Sequence, residues 1–229
     1  MKRSRFAFSL CASLAVLPFS ASAQVNYSEG FQGAVGAEWS SSLIIDAQVS
    51  VNRRALGDFG NDTVTLTLSG FTPGVSASLA FDLYILNSWD GESFGTGPDG
   101  FTAQIDGSNV VNATFTNLDE QSGHQSYSAT TPLGGAFVPA YTDADEIDTL
   151  DASYYGNSVY KFGGGHNPGF SFVPSTSTVV FSFAGSNLQG LADESWAIDN
   201  VSVIQSIPEP STWAALGLGA IVAIRRRRR

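Results

Sequence analysis

Three acidic residues of this 229-residue chain stand where a carboxylate has chemistry to do. Asp199 lies in Trp196-Ala197-Ile198-Asp199-Asn200-Val201-Ser202-Val203, and the two-residue period of a strand puts it on one side with Ala197, Val201 and Val203. If those valines face a core, the carboxylate is buried with them, which is costly unless it is paired, hydrogen-bonded or bound to a cation. Asp90 sits in Ser88-Trp89-Asp90-Gly91-Glu92, followed closely by Gly97-Pro98-Asp99-Gly100. Such a loop holds a second cation, or places Trp89 for sugar stacking, or is a solvated turn with Trp89 in the core. Glu29, in Ser28-Glu29-Gly30-Phe31, is the third. Oxygen ligands without thiols point to Ca²⁺. The competing reading has Asp199 capping a turn through backbone N–H groups and Glu29 exposed.

Other chemistries find less support. His124 and His166 show no metal-ligand spacing and are expected at the surface. Gly163-Gly164-Gly165-His166 lacks the lysine and following helix of a phosphate loop, and the chain has no Gly-x-Ser-x-Gly elbow. The single cysteine, Cys11, lies in the first apolar run, so disulfides and thiol catalysis are not expected. No catalytic constellation stands out, and the chain is read as a non-enzyme. A secreted glycoside hydrolase, which needs only two carboxylates, is the remaining catalytic class. Between residues 24 and 207 three basic residues face twenty acidic ones, a net charge of −17. Phosphate binding needs clustered Lys and Arg, so nucleic acid is excluded as a partner.

The elements that must position these acids are strands. Val64, Leu66 and Leu68 alternate with threonines, Leu79, Phe81, Leu83 and Ile85 alternate with Ala80, Asp82 and Tyr84, and Phe101 to Ile105 runs into the hairpin signal Asp106-Gly107. Further strands are expected at 110–115, 159–162, 178–183 and 196–204. The polar stretch 119–155 reads as long loops with a short helix around 143–150. The fold class is an all-β antiparallel sandwich, one domain over residues 24–205.

Both ends carry address signals. Residues 1–23 combine Lys2, Arg3 and Arg5 with an apolar run and Ser20-Ala21-Ser22-Ala23. This is a signal peptide that signal peptidase cuts after Ala23, with Ala21 and Ala23 in the small-residue positions. Residues 206–229 combine Pro208-Glu209-Pro210, an apolar stretch at 211–224 and five terminal arginines. A helix over 211–224 would span about 21 Å against a bilayer core of about 30 Å, short for a permanent anchor and sufficient for a transient stay in the inner membrane.

This order of motif, short transmembrane helix and basic end resembles the PEP-CTERM sorting signal of Gram-negative bacteria. The resemblance implies recognition of Pro208, Glu209 and Pro210 by an exosortase-type membrane protease, removal of the tail, and delivery to the cell surface or the exopolysaccharide matrix. The domain itself resembles the jelly-roll, MAM- and lectin-like sandwiches common in PEP-CTERM proteins, through Glu29-Gly30-Phe31, Ser88-Trp89-Asp90-Gly91 and Ile198-Asp199-Asn200-Val201. In such jelly rolls the first and last strands often lie side by side, which would bring Glu29 near Asp199. The resemblance implies a non-catalytic module binding exopolysaccharide or other surface proteins, or, alternatively, a calcium-dependent lectin-like carbohydrate binder.

Overall fold

The computed structural model describes residues 25–92, 97–118, 123–151 and 156–205; the signal segment and the sorting tail lie outside them. The strands are β1 (Asn26–Glu29), β2 (Ile44–Gln48), β3 (Arg53–Phe59), β4 (Thr63–Ser69), β5 (Ala77–Asn87), β6 (Gly100–Ile105), β7 (Ser108–Thr114), β8 (His124–Gln125), β9 (Val138–Pro139), β10 (Glu146–Ile147), β11 (Asn157–Phe162), β12 (Phe170–Phe172), β13 (Thr178–Ser186) and β14 (Glu194–Gln205). The protein is an all-β sandwich of antiparallel sheets.

The larger sheet runs β10-β11-β5-β14-β3-β2. Its two long central strands each outreach their neighbours, so short strands follow one another along each flank. Beside β5 these are β11 and β12; beside β14 they are β3 and β1. The smaller sheet, β4-β13-β6-β7, covers one face. Alternation explains the covering: Val64, Leu66 and Leu68 turn inward while Thr63, Thr67 and Ser69 meet solvent. Aromatic contacts then cross between sheets, Phe81 to Phe183 at 5.1 Å and Phe101 to Trp196 at 5.3 Å between ring centres. Each such ring contributes about 1.5–3 kcal/mol through burial alone. Asp106 and Gly107 turn the β6–β7 hairpin with φ of 47° and 78°, the two positive angles that a tight hairpin turn requires.

The larger sheet is buried on its other face as well, where Ala47, Ala55, Tyr84, Leu86, Leu150, Val159 and Ala197 form a second cluster. A bulge in β14 decides which residues reach which face. Asp199 pairs with Asp82 but Ser202 pairs with Ala80, so β14 carries one residue more than β5 in this step, with Asn200 at φ 49°. The inward series is therefore Trp196, Ile198, Val201 and Val203, while Ala197 and Asp199 face the second cluster. Asp199 does not share a side with the valines as simple alternation predicts; the extra residue reverses the phase.

The helix expected around 143–150 does not form. Asp143 and Asp148 adopt φ of 61° and 54°, left-handed values that interrupt a right-handed helix, and the short strand β10 lies between them.

Candidate functional site

Asp90, Asp99 and Glu194 converge at one end of the sandwich. Each has a carboxylate oxygen within 4.8 Å of the other two. Glu194 opens β14 in phase with Trp196 and Ile198, and Asp99 precedes β6 in phase with Phe101 and Ala103, so both point between the sheets and are fully buried. Asp90 follows β5 in a segment stitched to the stretch after β7. The Asn117 N–H donates to Trp89 O at 3.0 Å and the Thr116 hydroxyl donates to the same oxygen at 2.9 Å.

Few groups compensate these charges. The Asp90 amide donates to Asp99 Oδ2, but Asp99 Oδ1 is buried without a hydrogen-bond partner. Gln189 N–H donates to Glu194 Oε2 at 2.6 Å, and its side-chain amide reaches Glu194 Oε1 at 3.1 Å and Asp90 Oδ2 at 3.5 Å. Among the described residues no Lys or Arg ion pair includes Asp99 or Glu194. Burial pushes the Asp99 carboxyl up to about 7, opposed by the backbone amides of Asp90 and Gly91 and reinforced by the Glu194 and Asp90 charges. Burial likewise raises Glu194. Three full charges at this spacing would repel by about 3–4 kcal/mol per pair at an effective dielectric near 20, so the cluster needs a proton or a cation.

Asp199 and Glu29 lie elsewhere. Asp199 lies five positions after Glu194, about 17 Å along β14. β1 does run beside β14, with Glu29 opposite Val201, and a Cβ on Gly30 would stand 3.9 Å from Asp199 Oδ1. The expected nearness of first and last strands is present. Glu29 Oε1, however, accepts from the Phe31 N–H at 2.7 Å, while Asp199 accepts from the Tyr84 hydroxyl at 2.8 Å and the Asn200 N–H at 2.7 Å. Burial pushes Asp199 up to about 6 against those two donors. Asp82, across the strand pair, is also raised by burial and accepts from the Asn200 amide at 2.8 Å. The structure thus brings Glu29 and Asp199 to adjacent strands and places Asp90 with different carboxylates.

Trp89 is in the core. It has no exposed surface, and its indole N–H donates to Ser195 O at 2.9 Å, so it offers no face to a sugar. His166 is exposed and pairs with Asp145 at 2.9 Å; His124 is exposed at the start of β8. Glycoside hydrolysis would need Asp99 and Glu194 to flank a cleft open to the sugar. With both carboxylates sealed from solvent, only something as small as an ion or a proton reaches them.

Residues 206–229 match the PEP-CTERM protein-sorting motif. The chain bears a PEP-CTERM sorting signal. The motif implies an exported protein that passes by way of the membrane to exosortase-type sorting machinery, as the order of its parts predicts. No curated protein matches this chain. Among solved structures it is similar to the Emp47p carbohydrate recognition domain, at 13% identity over 83% of this chain and 100% of that one, TM-score 0.39. It is also similar to the Podospora anserina GH26-CBM35 β-(1,4)-mannanase, at 14% identity over 83% of this chain and 29% of that one, TM-score 0.32. A third is the Cry4Aa toxin from Bacillus thuringiensis, at 11% identity over 80% and 24%, TM-score 0.35. The chain spans less than a third of the mannanase and of the toxin. Likeness of this degree carries no information about ligand or activity.

Proposed function

We propose that this chain is an exosortase-processed protein of the cell surface or exopolysaccharide matrix, whose sandwich is a non-catalytic binding module. The match of residues 206–229 to the sorting motif carries the reading. Pro208, Glu209 and Pro210 supply the recognition segment, 211–224 holds the precursor briefly in the inner membrane, and the terminal arginines keep that end cytoplasmic by the positive-inside rule. Replacing Pro208, Glu209 and Pro210 with alanines is expected to leave the protein in the inner membrane with its tail attached, followed by fractionation and mass spectrometry. Normal surface delivery of that variant would reduce the motif to a linker and end the reading.

Calcium-dependent carbohydrate binding is the second reading. One observation favours it: among the described residues, Asp99, Glu194 and Asp199 are buried without a Lys or Arg ion pair, in a chain whose exported part is strongly acidic. In this reading Ca²⁺ binds through Glu29 and Asp199, with Asp90 now set apart from them. Glycan-array binding that disappears in EGTA and in Asp199→Asn combined with Glu29→Gln supports it; uniform signal across glycans removes it. A secreted hydrolase is disfavoured, since the closest acid cluster is closed to a polymer.

A further inference from the structure

We propose that Asp90, Asp99 and Glu194 form a calcium site that clasps the two sheets together at the end of the sandwich where β14 begins. The inference shares its ion with the second reading but not its location, and it holds whether or not the domain binds sugars.

Three observations carry it. The first is spacing. Calcium ligands lie about 2.3–2.6 Å from the ion, so two oxygens of one shell are separated by at most about 5 Å. The oxygens of Asp90, Asp99 and Glu194 fall within 4.8 Å of one another, inside that limit. The second is the orphaned atom. Asp99 has no exposed surface, yet its Oδ1 has no hydrogen-bond partner, although a polar group buried to that extent is normally satisfied. The third is Gln189, whose side-chain amide reaches Glu194 Oε1 at 3.1 Å and Asp90 Oδ2 at 3.5 Å. Rotating that amide exchanges its nitrogen for Oε1 and supplies a fourth oxygen, an exchange that costs the side chain no change of position. Waters complete the six to eight ligands of a calcium shell.

The charge balance selects a cation over a basic side chain. Between residues 24 and 207 the basic residues are Arg53, Arg54 and Lys161, and their ion pairs are with Glu146 and Asp46. The ligands also come from both sheets, whose segments already meet here through the Asp99 N–H on Gly91 O at 3.3 Å and the Ser88 N–H on Asp193 O at 2.9 Å. Glu194 heads β14 and Asp90 follows β5 in the larger sheet, while Asp99 immediately precedes β6 in the smaller one. An ion here joins both sheets and the turn that carries Gln189. The rival is a proton: Asp99 in its neutral form, donating to a neighbouring carboxylate, would hold the cluster without metal.

Terbium luminescence separates the two. Trp89 precedes Asp90 and is hydrogen-bonded to the residue after Glu194, so it serves as the sensitiser. The full chain, purified in detergent and stripped with EGTA, is titrated with Tb³⁺ under tryptophan excitation. Saturable emission is expected, displaced by Ca²⁺ and not by equal Mg²⁺. It should vanish in Asp99→Asn combined with Glu194→Gln and survive in Asp199→Asn combined with Glu29→Gln. Absence of saturable emission in the parent chain makes the proton sufficient and overturns the site. Emission lost only in the second pair moves the ion to the β1–β14 location, overturning this proposal while leaving the second reading intact. If the first pair does not fold, as judged by circular dichroism, Asp90→Asn replaces it. That half-exposed substitution should weaken Tb³⁺ about tenfold by removing one ligand charge, and unchanged affinity overturns the proposal.

Discussion

The Tyr84 hydroxyl donates to Asp199 Oδ2 at 2.8 Å across the central strand pair, on the face of the larger sheet turned away from the smaller one. The bond holds a carboxylate in a pocket that would rather contain its acid form, and that tension has a pH signature.

Asp199 is pushed from 3.8 up to about 6, so the native state binds its proton more tightly than the unfolded chain. The contribution is present below about pH 4 and lost as pH rises through 6, and it amounts to about 2–3 kcal/mol. Urea unfolding in EGTA at pH 4.5 and pH 7.5 should show greater stability at the lower value. Asp199→Asn should reduce the difference by about that amount, leaving the share of Asp99, Glu194 and Asp82; a slope unaltered by that substitution would assign all of it to those other raised carboxyls.

Glu146 behaves in the opposite sense. It accepts both Arg53 guanidinium nitrogens at 2.8 Å and pairs with Lys161 at 2.5 Å, which holds its carboxyl well below the usual range, the Arg53 bonds being the largest influence. Its contribution is complete above the ordinary glutamate pKa and declines on acidification below it. Glu146→Gln should cost about 1–2 kcal/mol at pH 7, less than a fully buried pair would, since both side chains keep solvent contact. Equal stability of parent and variant at pH 7 in 0.1 M salt would show that the bridge is merely geometric.

Trp89→Ala removes a fully buried indole and its bond to Ser195 O. A loss of about 3–5 kcal/mol is expected in chemical denaturation. Any loss of ligand binding in this variant should track unfolding, and selective loss of sugar binding by a stably folded Trp89→Ala would contradict the core placement.

Signal peptidase should leave Gln24 as the first residue of the exported protein, because Ala21 and Ala23 occupy the small-residue positions before the cut. Intact-mass measurement of envelope fractions checks this, and a species retaining Met1 in those fractions would argue for a membrane anchor.

Much of the sandwich was legible because its strands alternate cleanly. Thr63 to Leu68, Leu79 to Ile85 and the Asp106-Gly107 hairpin read directly as structure. Strands β2 and β3 escaped notice, since Ile44–Gln48 is short and Ala55-Leu56-Gly57 lacks alternation where the sheet is covered on both faces. The phase of Asp199 was misread for a local reason: a single bulge residue carries no composition signal beyond an asparagine that tolerates positive φ. Asp99 and Glu194 were readable by another route, because each continues the inward phase of its strand by one step beyond the apolar residues. Their meeting was not readable, for it depends on how β6 and β14 stack in different sheets.

The central place of β14 has a mechanical consequence. The strand ends at Gln205, whose N–H bonds Val25 O at 2.8 Å and whose side chain grips Thr72 and Val75. Any tension applied through the residues beyond Gln205 therefore arrives parallel to a twelve-residue strand flanked by β5 on one side and by β1 and β3 on the other. Ladder hydrogen bonds lie across the strand direction, so such a pull shears many of them at once instead of unzipping them singly. A sandwich tethered through this strand is loaded along its strongest axis, with Glu194 and its neighbours held about 36 Å away at the free end.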